Sequence, residues 1–169
     1  MIPKVIHFCW LSNEPYPDLI KKCIESWKEK LPDYVIKKWD TTNFDVTSVP
    51  FVKEAYECKK WAFAADYIRL HALYTEGGIY LDSDVRVLKS FDVFLSDPAF
   101  SAIEFNPKIY PIAVQNGFFD DKGNLLYDSI QIGLGLQVQA AVIGAEKGNS
   151  YIKSCLDYYV GKNFILADG

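Results

Sequence analysis

Apolar and polar positions alternate in blocks along the first ninety residues. Ile2 to Leu11 is nearly continuous apolar sequence, as expected of a parallel strand covered on both faces. Ser12-Asn13-Glu14-Pro15 breaks it. Tyr16 to Leu31 is amphipathic, with Leu19, Ile20, Cys23, Ile24 and Trp27 on one stripe, and predicts a helix closed by Pro32-Asp33. Tyr34 to Trp39 predicts a second strand, so the chain opens as a βαβ unit. Lys60 to Glu76 carries apolar residues at helical period and ends at Gly77-Gly78, a plausible helix stop. Ile79-Tyr80-Leu81 predicts a short strand, and Val85 to Leu88 reads as a second buried strand just beyond it.

Between these two runs lie Asp82-Ser83-Asp84. Alternate strand residues point the same way, so an extended backbone through Asp84 would put both carboxylates on one side. Two like charges so placed repel, and each resists desolvation. A hard divalent cation compensates them: Mg2+ takes one or two carboxylates and completes its shell with phosphate oxygens and water. The segment therefore reads as a seat for a metal–diphosphate, against the plainer alternative of a solvated acidic turn. An EF-hand does not fit, because Val87 would stand where that loop needs glycine.

Asp66 and Arg69 are spaced i, i+3 and share a helix face. They could form an ordinary surface ion pair. Their apolar neighbours Ala64, Ala65 and Tyr67 argue for a partly buried, aimed pair. Trp10 falls at the end of the first strand, where nucleotide sites form in such folds. It is either a core aromatic or a ring that stacks on a base. Neither a G-x-G-x-x-G nor a P-loop pattern is present.

Taken in order, Ile2-Pro3-Lys4-Val5-Ile6-His7-Phe8-Cys9-Trp10, Ser26-Trp27, Tyr34, Trp39, Ala65-Asp66-Tyr67-Ile68-Arg69 and Gly77 to Asp84 resemble the DXD sugar transferases of glycosyltransferase family 32. That family includes bacterial capsule and lipopolysaccharide enzymes and fungal mannosyltransferases, and it is similar to the catalytic domains of large clostridial glucosylating toxins. Ile143 to Ser150, and on through Tyr158-Tyr159, also looks like the family's back half. The resemblance implies an α/β fold of the GT-A, Rossmann-like type, a mixed sheet flanked by helices, in a single domain over residues 1–169. It implies Mn2+ or Mg2+ as cofactor and a nucleotide-sugar donor, UDP-linked in preference to GDP-linked. It assigns Asp84 to the metal, and Asp82 to the ribose and a metal-bound water. Asp66 and Arg69 would hold the donor sugar, Trp10 would stack on the base, and Tyr80 would lie near the donor. Anomeric configuration would be retained, with no general base named.

Two departures stand out. The family commonly has an Asn where Leu136-Gln137-Val138-Gln139-Ala140-Ala141 stands, so Gln139 is the candidate substitute. Family domains usually run on past the equivalent of Tyr159 into a segment with another metal ligand and a lid, so the expectation is either a C-terminal truncation or a short member whose site is completed otherwise.

Composition narrows the classes. The 169 residues suffice for one core burying roughly 70% of the unfolded surface. A net charge of −4 argues against nucleic acid as a partner. Cys9, Cys23, Cys58 and Cys155 lack C-x-x-C spacing and read as thiols, not disulfides or zinc ligands. His7 and His71 read as structural. Asn106 to Leu126 is polar and turn-rich, a hairpin or an acceptor-side loop. The early apolar stretch is too short for a leader and opens a strand, so a cytoplasmic protein is expected. A glycan acceptor carried on lipid would bring it to the inner face of the membrane as a peripheral contact. The competing functions are a metal-dependent phosphotransferase or phosphatase, which would not need Trp10, Asp66 and Arg69 together, and a non-catalytic nucleotide-sugar-binding module.

Overall fold

The computed structural model describes residues 1–12, 14–126 and 135–165. Asn13, part of the break expected after the first strand, lies outside them. The chain divides into two compact units, residues 1–100 with 141–169, and residues 101–140.

In the first unit, β1 (Val5–Cys9) pairs in parallel with β2 (Val35–Trp39), and α1 (Asp18–Lys30) makes the crossover. The chain then runs through α2 (Pro50–Glu57) and α3 (Trp61–Glu76) into β3 (Gly78–Leu81). β3 lies on the other side of β1, again parallel. After β4 (Ala99–Phe105), α4 (Tyr110–Gln115) and β5 (Leu136–Ala145), the chain ends in α5 (Ser150–Asp157). β5 pairs antiparallel with β3, from Gly78↔Ala145 to Leu81↔Val142. The strand order is β2-β1-β3-β5-β4, a mixed sheet with helices, as the sequence leads one to expect.

The continuous apolar runs follow from burial on both faces. Successive strand residues point to opposite faces. Ile6 and Phe8 of β1, with Ile79 and Leu81 of β3, pack against Trp27 and Leu31 on the α1 side. Cys9 and Tyr80 face the other way, onto Ala64, Ala65, Ile68 and Leu73 of α3. His7 shares that second face. Its Nδ1 accepts from Trp39 Nε1 at 3.0 Å, which leaves the proton on Nε2 to be donated to the Gly77 carbonyl at 2.8 Å. Burial lowers its pKa, so the ring is held neutral. The glycine pair beneath it is required by contact: Gly77 and Gly78 have φ of 70° and 117°. A Cβ on Gly78 would stand 2.7 Å from the Val5 carbonyl oxygen and 2.9 Å from His7 Nε2.

Three expectations need correction. Val85 to Leu88 is irregular backbone, with Val87 buried and Leu88 exposed. The Asp82–Asp84 segment is a turn after β3, closed by Val85 N–H donating to the Asp82 carbonyl at 3.0 Å, so strand alternation does not aim the two carboxylates. On α1, Leu19 is exposed and Ser26 is buried in the stripe beside Cys23 and Trp27.

The second unit contains α4 and an isolated bridge, Phe119↔Leu125, across the Asp120–Asn124 turn. The hairpin reading thus holds for 119–125, whereas residues 110–115 are helical. Gln139 sits on β5 in this unit, where its carbonyl accepts from Ser101 Oγ at 2.8 Å.

Candidate active site

The chain passes from β1 to β2 on one side and returns to β3 on the other. Between β1 and β3 the winding direction reverses, and ligands of open α/β sheets bind outside the strands' carboxyl ends at such a point. Trp10 follows β1 and Asp82 follows β3. Sheet topology alone therefore brings these two together.

A cavity of about 430 Å3 opens there. Trp10, Ser12 and Glu14 form one wall, Trp61 and Ala65 of α3 another, and Asp82, Ser83 and Asp84 a third. Arg69, Tyr80 and Cys9 lie at its base. Every candidate site residue except Asp66 borders the cavity directly, and Asp66 joins through Arg69.

Arg69 organises the base. Its Nη2 donates to Asp66 Oδ1 at 2.6 Å and stands 3.6 Å from Asp82 Oδ1. Its side chain is only 8% exposed, while Asp66 and Asp82 are 40% and 34% exposed. One buried cation therefore joins two half-exposed carboxylates, of which Asp82 borders the cavity. The guanidinium lies over the Tyr80 ring, 4.9 Å from its centroid. Tyr80 is itself buried, packs under Arg69 and borders the cavity. Burial pushes the Asp66 carboxyl above its ordinary value, by more than Arg69 draws it down, and Asp82 adds to the rise. Arg69 stays charged, because Tyr80, Asp82 and Asp66 together outweigh its desolvation.

Trp10 is half-buried. Its ring meets Tyr16 edge-on at 4.9 Å, and its Nε1 donates to the Glu14 carbonyl at 3.0 Å. The indole is thus fixed in orientation with one surface toward the cavity. A second cavity of about 380 Å3 adjoins it, bounded by Tyr16, Lys38, Asp40 and Thr42. Burial raises the Cys9 thiol to about 12, which removes it as a nucleophile near neutrality. Cys23 is also buried, Cys155 is half-buried and Cys58 is exposed; all four thiols are free.

The donor set fits a hard cation shared with a ligand. Asp82 and Asp84 supply carboxylate oxygens, and among the described residues no three His, Cys, Asp or Glu side chains converge into a self-sufficient metal site. Two carboxylates with space for phosphate oxygens and water is the arrangement Mg2+ and Mn2+ accept.

Fold and site thus define an α/β protein with a crevice at a topological switch point, an aromatic wall and a DXD turn. The chain belongs to the family described as the glycosyltransferase sugar-binding region containing DXD motif, which it matches over residues 17–101, 85 of its 169 residues. It is 34% identical over 105 residues to inositol phosphoceramide mannosyltransferase 3 of Schizosaccharomyces pombe, covering 58% of this chain and 28% of that protein. It is 31% identical over 107 residues to glucan organizing enzyme 1 of Cryptococcus neoformans, covering 62% and 24%. It is 30% identical over 105 residues to initiation-specific alpha-1,6-mannosyltransferase of Candida albicans, covering 56% and 27%. The matched stretches are thus about a quarter of the length of these relatives. Among solved structures it is similar in fold to PaToxG glycosyltransferase, with a TM-score of 0.62 at 19% identity, covering 95% of this chain and 63% of the other.

The contact that sequence reasoning did not bring out is that of Ser26, whose Oγ accepts from Val87 N–H at 3.0 Å and so ties α1 to the segment after the turn.

Proposed function

We propose that this chain is the donor-binding and catalytic part of a metal-dependent glycosyltransferase that moves a hexose from a nucleoside-diphosphate donor to a glycan or glycolipid. The observation that carries the proposal is one cavity bordered by a fixed indole, a buried arginine bridging two carboxylates, and the Asp82–Asp84 turn. The phosphotransferase alternative would use the turn alone and leave Trp10 and the Asp66–Arg69 pair without a role.

In this reading the base stacks on Trp10, and the diphosphate lies toward Asp82 and Asp84. These carboxylates would hold Mn2+ or Mg2+, and such a cation neutralises charge on a departing diphosphate. Arg69 adds a fixed positive charge that burial keeps from reorienting. Asp66, aligned by Arg69, accepts hydrogen bonds from donor sugar hydroxyls, and its negative charge favours oxocarbenium character. No side chain is assigned as a nucleophile. Cys9 is protonated and Tyr80 is buried beneath Arg69, in keeping with retention of configuration through positioning alone.

The relatives named above are all fungal, and two carry mannosyltransferase in their names. The acceptor is therefore proposed as a glycan or lipid-linked glycan, with bacterial surface polysaccharide as one instance. Among the described residues no helix is long and apolar enough to cross a membrane. A cytoplasmic location, with peripheral contact at the inner membrane face, belongs to the same proposal.

The test is a thermal-shift panel of UDP- and GDP-hexoses with and without Mn2+, followed by donor hydrolysis and transfer assays. A ligand at 100 times its Kd adds about 2.7 kcal/mol to stability, a shift of roughly 5–10 °C for a protein of this size. One donor should shift the midpoint only with the metal, and Asp84→Asn should abolish both that shift and turnover while the protein stays folded. Turnover unchanged in EDTA would refute the proposal.

A further inference from the structure

Asp84 is exposed and lies in no strand, so its position depends on what holds the backbone around it. Three consecutive inward positions of α1 do this. Cys23 Sγ donates to the Asp84 carbonyl at 3.2 Å. Trp27 Nε1 donates to the Val85 carbonyl at 2.7 Å. Ser26 Oγ accepts from Val87 N–H at 3.0 Å and donates to the Cys23 carbonyl at 2.6 Å. All three side chains are buried, with Trp27 at 0% exposure and Cys23 at 2%. The polar atoms of residues 84, 85 and 87 that neighbouring strands would satisfy in a sheet are here satisfied by side chains of one helix.

We propose that Cys23, Ser26 and Trp27 are positioning residues that fix the Asp84 carboxylate for metal binding. A loop held at three successive points has few backbone alternatives, and Asp84 carries the first of those points. Without the clamp, the turn closed by Val85 N–H and the Asp82 carbonyl is tied to the sheet chiefly through Asp82, whose N–H donates to the Ala141 carbonyl at 2.8 Å. Asp82 would then keep its place while Asp84 moved, and the two carboxylates would no longer meet one cation. Partners of metal ligands commonly affect affinity in this way, by orienting the ligand without touching the ion. The inference rests on the proposed function, because it concerns the metal seat of that site.

The experiment measures Mn2+ half-saturation for UDP binding by titration calorimetry, together with the ligand-free melting midpoint. Trp27→Phe keeps an aromatic filler and removes the N–H donor. Ser26→Ala removes the acceptor for Val87 with minimal change in volume. Both should raise the Mn2+ half-saturation roughly 10-fold or more, and leave metal-free UDP affinity within about two-fold, since Trp10 is untouched. Leu31→Val is the control, because Leu31 belongs to the same α1-side core and makes no bond to residues 84–87. It should lower the midpoint and leave the Mn2+ requirement unchanged. Should Trp27→Phe fail to fold, Ser26→Ala decides alone. An unchanged Mn2+ requirement in the folded clamp variants, or an equal rise in Leu31→Val, overturns the positioning role. No Mn2+-dependent UDP or GDP binding by the unmodified protein refutes the proposed function itself, and the inference with it.

Discussion

Replacing Gly78 by alanine tests whether contact between β1 and β3 sets the floor of the site. Gly78 has φ of 117°, a conformation that side chains rarely adopt, and holding alanine there costs about 1–3 kcal/mol. The added Cβ would also stand 2.7 Å from the Val5 carbonyl oxygen, a backbone atom of β1 that cannot rotate away. Moving it to ordinary contact means separating the strands by more than half an ångström, comparable to core overpacking at about 1–3 kcal/mol. The two terms sum to roughly 4 kcal/mol, a third to a half of what holds a typical domain together. For a chain of this length the melting midpoint should fall by about 8–16 °C. Gly148→Ala is the matched control: φ is 74° and nothing lies within 4 Å of its added Cβ, so only the conformational cost of about 1 kcal/mol remains. Calorimetric melts of both variants, without ligand, give the comparison. If Gly78→Ala melts within about 2 °C of Gly148→Ala, the strands separate without resistance and the contact argument fails.

Asp66→Asn should lower kcat far more than it weakens binding of the nucleoside diphosphate alone, because Asp66 is proposed to meet the sugar; equal losses by turnover and calorimetry would make it structural. Trp10→Ala should lower nucleotide affinity about 10-fold or more, for ~1–3 kcal/mol of stacking. It should also cost about 2 kcal/mol of stability, since the edge-on Tyr16 contact and the bond to Glu14 are lost with the ring; normal donor binding would remove Trp10 from the site. Stability should fall as pH drops below about 6.5, because burial lowers the pKa of His7 in the fold and unfolding then takes up a proton, at up to ~1.4 kcal/mol per pH unit. His71 is shifted in the same direction and adds to the slope. Urea midpoints at pH 7.5 and 5.5 check this, and a His7→Gln protein that kept the full slope would contradict it.

Much of the candidate site was legible in sequence because it rests on local rules. The apolar run of β1 announces a strand covered on both faces, and the spacing of Asp66 and Arg69 places them on one helix face. Gly77-Gly78 marks the sharp passage from α3 to β3. The missed features are those that depend on distant partners. Val85 to Leu88 has a strand's composition, yet side chains of Trp27 and Ser26 satisfy backbone atoms of Val85 and Val87 where a neighbouring strand would have done so, and Cys23 does the same for Asp84 just before it. That Arg69 would reach Asp82 as well as Asp66 needed β3 to be set beside α3, which only the folded chain shows. The antiparallel insertion of β5 next to β3 joins residues more than sixty apart, and no local pattern encodes it.

That insertion bears on how the protein can change over evolutionary time. The chain leaves the first unit at Phe100 and rejoins it at Ala141, and the two ends are tied close together. Glu146 N–H donates to the Pro98 carbonyl at 3.0 Å, and the Phe100 ring fills the space that a side chain on Gly144 would need. Between them the chain completes β4, passes through α4 and re-enters the sheet along β5, so the excursion proper runs from the end of β4 to the start of β5. Loop-closure entropy grows only logarithmically, so doubling such an excursion costs about 0.6 kcal/mol. The segment between β4 and β5 can therefore be lengthened, shortened or exchanged between lineages at little thermodynamic cost, while β1, β3 and α1 keep the candidate site unchanged. Diversity can in this way be confined to the stretch between β4 and β5, whose sequence the sheet does not constrain.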